Sequence, residues 1–582
     1  MTNLNNIDTQ IENVDQIPLI HGLLQKMSVQ TTVDSVIHPH GNWQGLSIGW
    51  VVAIWLIHII SQSTHRMDCV QEWVDSHLVV LRKLTGQQVT ALDFTDDRLA
   101  LCLRYLSVVT SWRLLENRLT QGVIQVYDLE RKLPSPWTVR LDATVGNVNH
   151  NVDTHTIFQL GKDKDGLYGP LFKMMVGSLD PMGMPVAVDV VPGNCADDPL
   201  YIPIYERIKE IVPKQGLLVV GDSKMSALAT RATIVHHGDH YLTPLAHLKD
   251  EPHLLPALLA TLSDEEKDTK LIFLAEDVPD EGQDWDESLA VARGFTVERE
   301  RTAIIAGERV VWTERLLIVR SFSYSETMCT ALRRRLTKAE RALLDLTPAP
   351  SRGKRQIKDE ATLLAGIAQI EKMYRVQGLF TYEYQEEVTE RHIRPYRDKP
   401  ARTERKVRFQ LHVSRQEEAI ATAESQMGWR IYATNAPQAE LSLDQAVRVY
   451  RNQYVTENIF RRLQGKLLSI TPVYIQRDDH AQGLFHLLTI AARLLALGDY
   501  IAKEALAQEG EELTGVFPGN PKRGTATPTT ERMLLAFNNI HLLIMRLGSQ
   551  VHYQLTPLTA VQERILTLLD LPTTLYTDLQ LT

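Results

Sequence analysis

Leu217-Leu-Val-Val-Gly-Asp222 is an apolar run of five residues closed by a carboxylate, and its length suits a buried strand. Trp137-Thr-Val-Arg-Leu-Asp142 has the same form, strand-like residues followed by Asp. Both carboxylates are therefore expected where a strand leaves its sheet. A third acid, Glu457, lies in the stretch 444–463, where Val447, Tyr450, Tyr454 and Phe460 recur at helical spacing. Two strand ends and one helix face can converge on a single point.

Three acids at one point suit a particular chemistry. Attack on a phosphodiester needs an activated nucleophile and a stabilised leaving oxygen, and two metal ions about 3.5–4 Å apart supply both. Magnesium is a hard cation that prefers carboxylate oxygens and keeps several waters, with Mn²⁺ as its nearest substitute. Cys69, Cys102, Cys195 and Cys329 are scattered without C-x-x-C spacing, which excludes a zinc cage and fits a reducing compartment. An isolated Asp at a strand end ordinarily caps a turn. Only the set of three, each in a fitting local setting, argues for catalysis. Asp189, Asp197 and Asp198 near the core are read as structural, and His150 and His155 as satisfied surface histidines.

A chain of 582 residues is too long for one core, so several domains are expected. Residues 1–135 alternate apolar helical patterns with polar turns and read as a helical bundle. Residues 136–250 carry strands in hairpin order, a helix at 199–212, the Asp222 strand and a helix at 227–237, the makings of an α/β layer. Residues 251–430 interrupt this unit with β-like runs at Lys270-Leu-Ile-Phe-Leu274 and Arg309-Val-Val-Trp-Thr313 and a charged helical passage near 333–376. Residues 431–510 resume it with the Glu457 helix and an apolar partner. Residues 511–582 are expected to be a linker at 515–524 and a last helical piece over 530–569.

The formal net charge of −9 is unfriendly to DNA, whose affinity comes largely from Lys and Arg displacing counterions. Distribution matters more than the sum. Basic clusters stand at Arg333-Arg-Arg335, Arg352-Gly-Lys-Arg355, Arg391-His-Ile-Arg394 and around Arg402, Arg405, Lys406 and Arg408, offset by acids in 264–268 and 276–281. Lys224, Arg451, Arg461 and Lys466 lie near the three acids in sequence and are candidates for phosphate contacts. The apolar run 48–60 is shorter than the ~20 residues of a membrane span and contains His58, so a buried helix is expected. With no charged leader and cleavage site at its start, the chain is expected in the cytoplasm, at the nucleoid if DNA is its partner.

These residues resemble a family, the DDE transposases of insertion sequences. The similarity is to the insertion sequence type 4 superfamily and its group marked by Tyr-x2-Arg-x3-Glu-x6-Lys. Tyr450 and Glu457 fall in place, while Gln453 stands where Arg is usual and Gln464 where Lys is usual, with Lys466 two residues on. The branch with this looser pattern is resembled further in Leu467-Leu-Ser-Ile-Thr-Pro472 and the helix 484–495. Gly161-Lys-Asp-Lys-Asp-Gly166 and the stretch 173–194 look like the family's second and third strands, joined by a turn at Asp180-Pro-Met-Gly183.

The resemblance implies a ribonuclease-H-like core, a mixed five-stranded sheet with helices, interrupted by the insertion domain and preceded by the helical domain. It implies that Asp142, Asp222 and Glu457 hold two Mg²⁺ ions. It also implies that the N-terminal helices bind the element's ends, that a homodimer acts on paired double-stranded DNA ends and a target, and that no membrane is involved. Tyr450 would touch the DNA backbone. Trp429 takes the place of a Trp that stacks on a flipped base in some relatives. Two rivals stay open: a structure-specific nuclease on the same core, and a non-catalytic DNA-binding protein derived from a transposase.

Overall fold

Leu218 and Val220 of the apolar run turn to one face of a sheet and Val219 to the other, and all three are buried. Burial on both faces explains the missing polar alternation. The structure, a computed structural model, describes residues 7–212, 214–245, 253–274, 287–349, 356–395, 400–547 and 550–581. The basic cluster at 352–355 and the acidic stretch at 276–281 lie outside the described residues.

In chain order the strands are β1 (Ile7–Asn13), β2 (Thr138–Asn147), β3 (Gln159–Lys162), β4 (Tyr168–Leu179), β5 (Met184–Pro192), β6 (Leu218–Gly221), β7 (His240–Pro244) and β8 (Lys270–Ile272). There follow β9 (Ala292–Ile305), β10 (Glu308–Ser321), β11 (Phe380–Ile393), β12 (Arg402–Arg415), β13 (Trp429–Thr434), β14 (His541–Leu547) and β15 (Gln550–Leu555). The centre runs β5-β4-β2-β6-β7, with β5, β4 and β2 antiparallel and β2, β6 and β7 parallel. The fold is thus mixed α/β. The β4–β5 turn falls at Asp180-Pro-Met-Gly183, where Gly183 adopts φ +65° and a Cβ would press on Val455. That contact sets the turn under the helix Tyr454–Gln464.

The sheet does not stop at five strands. Beyond β7 it continues antiparallel through β13, β10, β9 and β8, so the β-like runs of the middle segment extend the central sheet. A boundary at 430 accordingly cuts β13. The separable part of the middle segment is smaller. The helices Phe322–Leu344, Glu360–Tyr374 and Glu417–Ser425 pack with the β11–β12 ribbon around their own core of Leu332, Leu336, Leu363, Ile367, Phe409 and Leu411. The chain enters and leaves this unit at one place, where the Ser321 N–H donates to the Gly428 carbonyl at 3.1 Å and β10 pairs with β13 through Arg320 and Trp429.

The N-terminal helices behave differently. Ile48–Gln62, capped by the Ser47 hydroxyl, is buried along nearly its whole length, as the apolar run predicts. It shares one core with the sheet and with Asp478–Glu509, the helix that passes through the middle of the molecule. This 32-residue helix is long and apolar enough to cross a membrane, and 89% of its most apolar window is buried in protein. Gly483 lets it approach Leu103 so closely that a Cβ would lie 2.0 Å from the Leu103 carbonyl oxygen. A buried ion cluster fixes the junction. Glu116 of Val109–Val126 meets Arg207 of Tyr201–Ile211 and, at 2.9 Å, Arg493 of the central helix.

Two expectations need correction at the chain's ends. Residues 7–13 form a strand, β1, which pairs with β14, and the last segment holds the β14–β15 hairpin between the helices Thr530–Leu535 and Ala560–Leu568. Leu542 and Ile544 alternate inward, a period of two rather than a helical stripe. Glu12 of β1 is buried and accepts the backbone N–H groups of Val79 and Val80, capping the helix Leu78–Thr85.

Candidate active site

Parallel pairing of β2 with β6 ends at Leu141 and Gly221, so the next residues in register are Asp142 and Asp222. Asp222 does end its strand. Asp142 does not, because β2 runs on to Asn147 beside β4, and it leaves the sheet only on the β6 side. That gap, where β6 turns away and β2 continues, is the opening in which the two carboxylates lie side by side.

Alternation along β2 puts Arg140, Asp142 and Thr144 on one face. Arg140 pairs with Asp180 at 2.7 Å and donates to the Val449 carbonyl at 2.7 Å. Gln464 donates to the Thr144 hydroxyl at 2.9 Å and to the Val145 carbonyl. These contacts tie the stretch 449–464 across β2 on both sides of Asp142, and Glu457 lies in the span between them. The single helix expected over 444–463 is in fact two, Leu443–Arg451 and Tyr454–Gln464, broken at Asn452-Gln453. The break lets Val447 and Tyr450 pack on the smaller core beside β6 and β7, while Ile459, Phe460 and Leu463 pack on the main core. Tyr454, expected on the apolar stripe, is 57% exposed.

Burial pushes the Asp142 carboxyl up to about 6; the charges of Asp222 and Glu457 add to this, while the Ala143 N–H and Lys164 oppose it. Each Asp makes its bonds through Oδ1. Asp142 accepts from Ala143 N at 2.8 Å, and Asp222 accepts from the Tyr201 hydroxyl at 2.6 Å and from Lys224 N at 2.9 Å. Among the described residues no hydrogen bond uses either Oδ2, and Glu457 is exposed with no polar partner. The donors suit a hard cation. They do not yet close around one, since no three His, Cys, Asp or Glu among the described residues are grouped to hold a metal ion.

Asp222 opens onto a cleft of about 600 Å³ whose walls include Tyr450, Trp429, Tyr324 and Arg430. Tyr450 is half-buried against the Tyr432 ring at 4.7 Å, and burial raises its hydroxyl above the usual phenol range. Trp429 is 7% exposed, packs edge-on to Phe295 and donates from its indole to the Ser425 carbonyl, so it is a wall of the cleft with its ring already engaged. Lys224, whose amide binds Asp222, and Arg451, at the end of the helix Leu443–Arg451, are both exposed. Arg461 and Lys466 are exposed at the far end of the Glu457 helix, in a second hollow with Asn458 and Arg462.

The basic group at 402–408 is not at this site. Arg402, Arg405, Lys406 and Arg408 lie on β12, in the unit with its own core. Arg408 is committed to Glu387 at 3.4 Å. Asp189 binds Arg207 and Asp197 binds Lys173; His155 meets Asp478 at 2.6 Å and His150 a backbone carbonyl, all structural partnerships. Composition and spacing did not single out Lys164, Tyr201 or Arg140. Lys164 stands in the charged turn before β4, with its ammonium 5.4 Å from the Phe460 ring centre.

No curated protein matched the chain. Residues 9–118 match a family described only as a domain of unknown function. Among solved structures, the piggyBac transposase synaptic complex with hairpin DNA aligns at a TM-score of 0.33 and 10% identity, over 86% of this chain and 77% of that one. The model described as a transposase DDE domain matches residues 138–494, more than half of the chain and a span that takes in Asp142, Asp222 and Glu457. By that match the chain belongs to the family of transposases with a DDE domain.

Proposed function

We propose that this transposase family member cuts DNA at the ends of a bacterial insertion sequence and joins the 3′ ends to target DNA, with Asp142, Asp222 and Glu457 as its catalytic carboxylates. The observation that carries the reading is the register of β2 and β6, which sets two acids from distant segments side by side at the sheet's opening under the helix bearing the third. Asp142 and Asp222 would hold Mg²⁺ or Mn²⁺ through their free Oδ2 atoms, with Glu457 completing the set. Two such ions, when bound, would lower the pKa of an attacking water or 3′-hydroxyl and stabilise the leaving oxygen.

The chain's own residues supply placement. Tyr201 and the Lys224 amide fix the Asp222 carboxylate through Oδ1 and leave Oδ2 without a hydrogen bond among the described residues. Lys164, Lys224 and Arg451 offer positive charge to the phosphates of the scissile strand, with Arg461 and Lys466 along its path. Tyr450 and Trp429 wall the cleft next to Asp222, where a displaced nucleotide would lie against aromatic rings. The N-terminal helices would bind the element's ends, and two copies would pair two ends.

The test is a strand-transfer assay with an oligonucleotide end, a plasmid target and Mg²⁺. Asp142→Asn, Asp222→Asn and Glu457→Gln should each abolish cleavage and joining while binding to the end persists. Parental cutting by any one variant removes that residue from the set. Cleavage of branched DNA without joining would favour a nuclease, and binding without either would favour a non-catalytic descendant.

A further inference from the structure

The β11–β12 ribbon is anchored over only half of its length. Near its base, Tyr382 donates to Glu371, Tyr384 meets Glu360, the Leu411 N–H donates to Thr347, and Phe409 and Leu411 enter the local core. From the Glu386–Phe409 pair outward, every hydrogen bond and ion pair among the described residues stays within the ribbon: Arg405 with Glu386, Arg408 with Glu387, and the Thr403 hydroxyl with His392. Glu386 to His392 and Ala401 to Thr403 are all exposed. Val407 is the outermost side chain packed on the local core, and at about 3.4 Å per residue the part beyond its Val388 pair extends roughly 17 Å. A two-stranded hairpin exposed on both faces is marginally stable in water and gains from a partner.

Its charge says what kind of partner. Arg391, Arg394, Arg402, Arg405 and Lys406 gather at the outer end, where Glu404 is the one acid among the described residues from 391 to 406. The acids Glu383, Glu386 and Glu387 lie on β11 nearer the helices, while Glu390 stands at the outer end opposite Arg405. Register puts Arg391, Arg402 and Lys406 on the face opposite the one that packs on the helices through Tyr384, Phe409 and Leu411. Pairing with a second copy is disfavoured, because a two-fold axis would set the acidic β11 edge against itself or the basic β12 edge against itself. A two-stranded ribbon fits the DNA major groove, which is about 12 Å wide.

We propose that the outer half of this ribbon is an arm that lies in the major groove of duplex DNA outside the cleavage point. The proposal rests on the transposase reading. It reassigns the basic segment: Arg391 and Arg394 join Arg402, Arg405 and Lys406, and Arg408 leaves the set.

The test compares the full chain with its Arg391→Ala, Arg402→Ala, Arg405→Ala, Lys406→Ala variant by fluorescence anisotropy on a mixed-sequence duplex about 40 bp long, across a salt series. The log–log salt slope should flatten by about 2–4, near 0.9 for each phosphate no longer neutralised, and affinity at low salt should fall at least about tenfold. Guanine N7 atoms protected from dimethyl sulfate by the parent should become reactive with the variant. Replacing the three arginines by Lys should keep most of the salt slope while losing the protection. Parental binding with an unchanged slope and footprint in the Ala variant overturns the arm and leaves the transposase reading standing. A parent that does not bind duplex at all overturns both. A variant whose sedimentation shows lost self-association without DNA overturns the arm in favour of pairing between copies.

Discussion

The N-terminal helices and the ribbon-bearing unit both flank the same sheet, yet they join it in opposite ways. The first has no core of its own. Its apolar residues merge with those of the sheet and the central helix, and its Glu116 is buried between two arginines of other segments. The second keeps a private core and touches the sheet where two neighbouring strands would otherwise be joined by a turn. One is part of the foundation and the other is an attachment.

The sharpest way to break this contrast is at Glu116. Glu116→Ala leaves Arg207 and Arg493 buried without their shared anion, and should cost about 3–5 kcal/mol in urea unfolding. A loss under about 1 kcal/mol would mean that the helices are not bound to the core as described.

Acid offers the next largest effect. His21, His58 and His486 are buried, and burial lowers their pKa values to about 4, 4 and 3. The unfolded chain takes up protons near 6.5 while the folded chain stays neutral. Their contribution is therefore complete above pH 6.5 and is lost as pH falls from there toward 4, by up to about 1.4 kcal/mol per pH unit for each histidine. His486 stacks on Trp112 at 4.2 Å, so the loss should reach the junction between helices and sheet. In the attached unit both histidines, His392 and His412, are exposed. Thermal melts from pH 7 to 5 should thus show the main core weakening first; a parallel decline of both parts would remove the distinction.

Excising residues 323–427 and closing β10 to β13 with a short turn should leave the remainder folded, with a midpoint change below about 5 °C. Collapse of the truncated chain would show that the unit is structural after all. The smallest effect expected is at Arg415, whose pair with Glu340 at 2.7 Å is one-third exposed on both sides. A double-mutant cycle there should return about 1 kcal/mol or less.

The Asp222 strand was legible because it is buried on both faces, and such a run stands out as a short unbroken apolar stretch before an acid. The mixed α/β class and the turn at 180–183 followed the resemblance, but the extension of the sheet by β13, β10, β9 and β8 rests on pairings between segments far apart in sequence, which no local pattern records. The break at Asn452-Gln453 was hidden because Val447, Tyr450 and Phe460 keep one helical period while serving two different cores. The basic residues 402–408 read as one cluster in sequence, and only cross-strand register showed that Arg408 is spent on Glu387 while Arg391 shares the outward face. The hairpin in the last segment was missed because Leu542 and Ile544 sit among apolar neighbours that also suit a helix.

The pairing of β1 with β14 sets a clock on the chain's manufacture. Ile7 finds its partner only when Leu547 has been made, and at ~5–20 residues per second that wait lasts on the order of half a minute to two minutes. Until then Glu12 is not held against the helix Leu78–Thr85 by a completed sheet, and Leu542 and Ile544 are missing from the main core. A ribosome that stalls before β14 would therefore leave a chain that has all three acids but an unsealed foundation.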